Sequence, residues 1–552
     1  MVQRRDFLIG SGLAGAAALG SFTACAPPPD LDGVFSVGVA SGLHSPTAAV
    51  LWTRVDLANA PATTSVGWEV ATSPSFDTVV DSGTAPVDPD ADGCVKVLVE
   101  GLAPGTSYWF RFTGGGETSR VGRARTLPDP TSSPSSLRVA FCSCQSYASG
   151  FYGAWRDIAA RDLDAVLFLG DYIYESIAIQ LLRRVRPEPI EDVDTLAEYR
   201  AKYLLYRSDP DLQAAHAAHP LVPIWDDHEI VNDYSRTIFT EDPERAEAAY
   251  RAWFEYMPVW PIEGTRIHRS LRWGDLAEVL LLDSRQYRDV PLGEPVLGIL
   301  GLQVMTGDLQ SVGRSMLGEA QRQWLLDSLT AAQGDGVRWK LVGNPVMIAP
   351  IRLVDLDTPE LRALDPSLPK HAGLYLGTDS WDGYGWERDL VLSHLATEGI
   401  TDVAFLTGDQ HSFMAAPVST DYDDPTAPLV AYEYTGGSIT SPSGPLENLL
   451  AGGAGLLPHG PGVRLHGGPP QRLRAAGGHP GGHDGHLPRA APDEPAGPAD
   501  PAGPVHRDPW RGAADRHPAL RAHPAGAISS STSGRSCSAR RWPCGLVASM
   551  TR

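Results

Sequence analysis

The chain has 552 residues, 42% of them hydrophobic and 8% aromatic, with a formal net charge of -21 from 45 basic and 66 acidic side chains. That composition is globular and long enough for more than one core, and the acidic excess argues against nucleic acid as a partner. Any anionic substrate must be neutralised locally, as bound cations would do; the six cysteines make no CxxC pair, and no internal run is long and apolar enough to span a membrane.

Residues 1–32 read as an address and a linker. Arg4 and Arg5 precede Asp6, Phe7 and Leu8, and a weakly apolar Gly/Ala stretch runs to Ala24. This resembles a twin-arginine export signal, which implies the twin-arginine machinery as a partner and an extracellular, periplasmic or envelope-attached location. "FTAC" ending at Cys25 resembles a loose lipobox, so Cys25 is a candidate for lipidation and membrane anchoring.

Residues 33–128 read as a small all-β sandwich. "FSVGVAS", "AAVLWTRV", "TSVGWEVAT", "CVKVLVEGL" and "TSYWFRFTGG" are short runs of β-branched and aromatic residues at sandwich spacing. "LAPGTSYWFRF" resembles the fibronectin type III pattern, in which Tyr108 would make a corner hydrogen bond. Nothing in this stretch marks a binding site, so a structural module packed against its neighbour is preferred over a wall- or carbohydrate-binding one.

From 129 to 452, after a Pro/Ser linker, strands alternate with helices. "LRVAFCSC", "DAVLFLGD", "LVPIWDDHE", "AEVLLLDSR", "RWKLVGNPVM" and "TDVAFLTGDQH" are apolar runs that each end in polar residues. Parallel strands buried on both faces look like this, with function at their carboxyl ends. In "FYGAWRDIAARDL", Phe151, Trp155, Ile158 and Ala159 are expected on one buried helical face. Residues 453–552 are a Gly-, Pro-, Ala-, Arg- and His-rich tail with no helix or strand period. It reads as disordered, or as the product of a frameshift in a GC-rich gene.

Four of the strand ends collect metal-type ligands. In "AFCSCQ", Cys142 and Cys144 are expected on the same side of a strand, Cys142 as inert packing and Cys144 as a thiolate candidate. In "GDYIYE", Asp171 suits a bridging carboxylate, and Tyr174 would bind metal only as a phenolate beside a strong Lewis acid such as ferric iron. "WDDHEIVND" crowds Asp226, Asp227, His228, Glu229, Asn232 and Asp233 after an apolar run. In "LTGDQH", one loop can present both Asp409 and His411.

Together with "YRAKY" (199–203), "LLLDSRQYR", "GNPVM" and "DSWDGYGWER" (379–388), these motifs resemble, in their order, the PhoD-like alkaline phosphatase family of calcineurin-like metallophosphoesterases. The resemblance covers roughly residues 33–445. It implies an α/β fold, the four-layer metallophosphoesterase sandwich, with Fe(III) and Ca(II) as cofactors. It further implies Cys144, Asp171 and Tyr174 on iron, Asp171 bridging, and Asp409 and His411 as late metal ligands. Asp227 would take the place of the superfamily's metal-binding Asn, His228 would face the phosphate, and Asn232 would serve calcium. The implied function is an exported phosphoesterase hydrolysing phosphate mono- or diesters by metal-activated hydroxide, with His228 and Asp171 catalytic. The alternatives are a phosphodiesterase of the phospholipid or teichoic-acid type, and a cell-surface binding protein that has kept only the hydrolase fold. Past "YTGGSITSP" (434–442) the resemblance ends, and the family's last strand region is not recognisable.

Overall fold

A computed structural model describes residues 32–176, 184–190, 192–291, 295–297, 302–304, 311–443, 464–465 and 546–551. The twin-arginine stretch, Cys25 and nearly all of the Gly/Pro/His-rich tail lie outside the described residues.

The N-terminal strands pair antiparallel in two sheets. One holds Val39–Ser45, Ala48–Arg54 and Cys94–Val99; the other is built on Ser65–Ala71, Val79–Pro86, Ser107–Gly114, Glu117–Thr118 and Gly122–Arg125. Alternate side chains of Cys94–Val99 and Ser107–Phe112 are buried, which is the period of two that a half-buried strand requires. Phe110 and Phe112 fill the space between the sheets with Val39, Leu51, Val66 and Val97. The Tyr108 hydroxyl accepts the Ala103 N–H at 2.9 Å, the expected corner bond. Val79–Pro86 is a strand absent from the sequence reading, because its polar "VVDSGTAP" shows little alternation.

Two further sheets pack face to face. The first is ordered Leu221–Ile224, Ala165–Leu169, Ser136–Cys142 and Leu546–Thr551, the first three parallel. The second places Ala277–Leu281, Trp339–Asn344, Val403–Thr407 and Leu429–Gly436 side by side and parallel. Val139, Leu167 and Leu169 of one sheet and Val279, Leu281, Leu341 and Leu406 of the other share a single core. Helices Gly153–Ala159, Leu196–Arg207 and Pro243–Tyr256 cover the outer face of the first sheet. Gly318–Gly334 and Gly385–Thr397 cover the second. The result is helix, sheet, sheet, helix, as anticipated from apolar runs buried on both faces.

Helix Leu196–Arg207 ties this body to the small sandwich. Thr195 and Glu198 close a capping box at its start, worth about 1 kcal/mol. Its buried face, Tyr199, Lys202, Tyr203, Tyr206 and Arg207, follows helical spacing. Tyr203 stacks on Tyr172 with centroids 6.0 Å apart, and the Arg207 guanidinium lies 4.0 Å over the Trp52 ring of the sandwich.

Two sequence expectations are corrected. Phe151 is 69% exposed, because the helix begins only at Gly153 and leaves that ring outside the buried face formed by Trp155 and Ile158. Leu546–Thr551, in the stretch read as without regular structure, is a strand that covers the edge of Ser136–Cys142. Its Met550 and Val547 pack onto the shared core, so local apolar residues suffice where the surrounding composition suggested none.

Candidate metal centre

The parallel strands end together. Cys142 pairs with Phe168, Leu169 with Ile224, and Asn344 with Thr407, so the segments after them emerge at one edge of the two-sheet core. Gly170 has φ +108, and a Cβ there would stand 2.4 Å from that of Asp226, so only glycine lets these two loops touch. Glu229 fastens the junction. Its buried carboxylate accepts the N–H groups of Asp171 and Asp226, each at 3.0 Å, and that of Tyr172.

The expectation that Cys142 and Cys144 share a strand side is overturned. The strand stops at Cys142, which packs in the core, and Cys144 takes φ +59. Asp171, Asp409 and His411 also have positive φ, at 58°, 61° and 47°. Left-handed backbone at non-glycine residues costs about 1–3 kcal/mol each and concentrates at functional sites. Here four of the predicted ligands carry it.

Ligand atoms of Cys144, Asp171 and His411 lie within 4.8 Å of one another. The Tyr174 hydroxyl sits among them, 3.0 Å from Asp171 Oδ2 and 3.3 Å from His411 Nε2. A second group within the same limit is Asp171, Asp227 and His228, so Asp171 belongs to both. A third joins Asp227 to Asp233 and Asp379. Asp409 joins none of these triplets, though it sits close enough for the charges of Asp379, Asp226 and Asp227 to act on it. Asn232 is exposed; it donates its backbone N–H to Glu175 at 2.9 Å and its amide to Asp233 at 2.8 Å.

The electrostatics describe a cluster short of positive charge. Burial pushes the Asp171 carboxyl well above its usual range; Asp227 and Asp226 add to this and His228 opposes it. Burial and the Asp379 and Asp226 carboxylates do the same to Asp409. The Tyr174 phenol and the Cys144 thiol are raised by burial and by Asp171. Burial lowers His411 to about 4. Its Nδ1–H donates to the Pro442 carbonyl at 2.8 Å, which leaves the Nε2 lone pair facing Tyr174. Asp226 Oδ2 is buried without a hydrogen-bond partner. Thiol, phenol, carboxylate and imidazole donors that burial keeps uncharged, and that a bound cation would draw into their ligating forms, make a candidate metal-binding group.

Several functional neighbours escaped the sequence reading. Glu175 Oε2 lies 2.6 Å from His228 Nδ1, while its other oxygen accepts from Asn232. The fully buried Arg285 pairs with Asp226 and lies 3.6 Å from Asp227 and 3.3 Å from Asp379. Burial raises the Asp227 carboxyl, but Arg285 and His228 outweigh it and hold that carboxyl below its usual range. Glu175, Arg285 and Asp379 stand within "GDYIYE", "LLLDSRQYR" and "DSWDGYGWER", so a signal was present but no role attached to it.

The fold, with the likenesses that follow, defines a hydrolase of phosphoric esters with the metallophosphoesterase architecture. Residues 139–454 match the family model described as PhoD-like phosphatase, and residues 23–128 match its N-terminal domain. The chain is 33% identical over 471 residues to alkaline phosphatase D of Bacillus subtilis (strain 168), covering 80% of this chain and 76% of that protein. A solved structure described as that of PhoD superposes with a TM-score of 0.66 at 33% identity, covering 75% of this chain and 79% of the other. The chain belongs to the PhoD-like phosphatase family.

Proposed function

We propose that the chain is a metal-dependent alkaline phosphatase or phosphodiesterase whose centre is held by Cys144, Asp171, Tyr174, Asp227, Asn232, Asp409 and His411. The observation that carries the reading is the convergence of the Cys144, Asp171 and His411 ligand atoms within 4.8 Å, with the Tyr174 hydroxyl among them. A thiolate and a phenolate together suit Fe(III), and the surrounding carboxylates Asp171, Asp227 and Asp409 with the Asn232 amide suit Ca(II). When bound, these ions supply Lewis acidity and positive charge for the attack of water on phosphorus.

The protein's own groups do the rest. Asp171 serves both halves of the centre, because its carboxylate lies within 4.8 Å both of the Cys144 and His411 ligand atoms and of the Asp227 carboxylate. Arg285 keeps Asp227 ionised. In the metal-free protein burial lowers the His228 pKa, but Asp227, Glu175 and Asp171 raise it above the usual value; of these Glu175, 2.6 Å from Nδ1, is no metal ligand and stays to favour the protonated ring. With Nδ1 engaged by Glu175, Nε2 is the nitrogen left to donate to the leaving-group oxygen. Arg4, Arg5 and Cys25 support export by the twin-arginine machinery and anchoring through a lipidated Cys25. Among the described residues no helix is long and apolar enough to cross a membrane.

The test is hydrolysis of p-nitrophenyl phosphate and bis(p-nitrophenyl) phosphate before and after treatment with a calcium chelator. Activity lost on chelation and restored by calcium is expected. Full activity in chelated protein depleted of both iron and calcium would refute the metal dependence.

A further inference from the structure

Behind the centre lies one short stretch, Ser438–Ser443, that contacts three of its donors. Ile439 N–H donates to the Ser143 carbonyl at 3.0 Å, and the Thr440 hydroxyl to the Ser146 carbonyl at 2.7 Å. Pro442 accepts from His411 Nδ1, and the Ser443 hydroxyl donates to the His411 carbonyl at 2.9 Å. Ser441 is at the middle and is 4% exposed. Its Oγ accepts the Ser146 N–H at 3.1 Å and lies 2.7 Å from the Tyr174 hydroxyl and 2.9 Å from the Cys144 carbonyl.

A serine has one hydroxyl hydrogen, so it serves one of those two acceptors at a time. The Cys144 carbonyl already receives the backbone N–H groups of Thr440 and Ser441, at 3.3 and 3.2 Å. Tyr174 has no such supply. Its other polar neighbours are Asp171 Oδ2, an acceptor when ionised, and His411 Nε2, a lone pair because the ring proton is on Nδ1. With those two neighbours facing it as acceptors, Ser441, at 2.7 Å, is the hydrogen-bond donor to the Tyr174 oxygen among the described residues.

We infer that Ser441 is a positioning residue of the centre, donating its hydroxyl hydrogen to the Tyr174 phenolate while its backbone holds the Cys144 carbonyl. The inference rests on the ferric reading proposed above. A hydrogen bond to a phenolate oxygen withdraws charge from it, which raises the energy of phenolate-to-iron charge transfer and weakens the oxygen as a donor to the metal. Partners of this kind tune a ligand without touching the ion.

The experiment compares visible spectra and iron content of full-length protein carrying Ser441→Ala, Ser441→Cys or Ser441→Thr. The Ala variant is expected to keep iron and to move the charge-transfer band to longer wavelength. The Cys variant, a weak donor of similar size, is expected between Ala and wild type, and the Thr variant at the wild-type position. Iron-loaded Ala and Cys variants with the band at the wild-type wavelength would overturn the inference, as a merely structural role lowers Tm without moving the band. Wild-type protein with no such band would instead defeat the ferric reading on which the inference stands.

Discussion

Glu175 Oε2 lies 2.6 Å from His228 Nδ1, and the Tyr174 ring lies against the same imidazole with centroids 4.3 Å apart. Three residues of one strand-end turn therefore serve both sides of the centre: Asp171 and Tyr174 toward the candidate iron ligands, Glu175 toward the candidate acid. Glu175→Gln keeps the size and removes the charge. Because the carboxylate is one of the groups that raise the His228 pKa, the variant should lose the imidazolium at lower pH. The alkaline limb of the kcat profile should move toward neutrality, with kcat down roughly 100-fold. An unchanged limb would remove Glu175 from this role.

The metal-free protein should show a characteristic dependence on pH. Asp171 and Asp409 have raised pKa values in the folded state, chiefly from burial, and Glu229 is raised to about 7 by the same cause. The folded state then binds more protons than the unfolded state above about pH 4, so unfolding free energy falls as pH rises through the folded pKa values. His228 adds to the trend: its folded pKa is raised, so its contribution is fully present below about 6.5 and lost as pH rises through the folded value. Thermal melts of chelated protein should therefore give Tm falling from mild acid to pH 9, and bound metal should flatten the curve.

Asp171→Asn tests the shared carboxylate. Turnover should fall roughly 1,000-fold, since the group stabilises charge at both halves of the site. The chelated variant should melt higher than chelated wild type at pH 8, because a buried group under electrostatic stress has become neutral. Full activity would remove the bridging role.

Tyr108→Phe tests the sandwich separately. The Ala103 N–H would lose its partner, at a cost of about 1–2 kcal/mol. Urea unfolding should report that loss, while kcat and KM stay at wild-type values.

Much of this architecture was legible because of how the strands are buried. Val166–Leu169, Leu221–Ile224 and Val403–Leu406 are covered on both faces, so each is an unbroken apolar run, and a polar residue after such a run stands out. Asp171, Tyr174 and His411 could be found in that way. The reversal of Cys144 could not, because side-chain alternation says nothing once the backbone turns left-handed. Glu175, Arg285 and Ser441 were missed for a different reason. Each gains meaning from a partner tens or hundreds of residues away, and Ser441 meets Tyr174 across a separation of 267. Phe151 failed as a core residue because a helical pattern does not fix where the helix begins.

The metal that the centre selects is its most telling property. Elemental analysis of purified full-length protein, read alongside its visible spectrum and that of Tyr174→Phe, decides it. Iron near one equivalent per chain, with calcium and a charge-transfer band that disappears in Tyr174→Phe, is the predicted result. Active, colourless protein containing zinc in place of iron would contradict it.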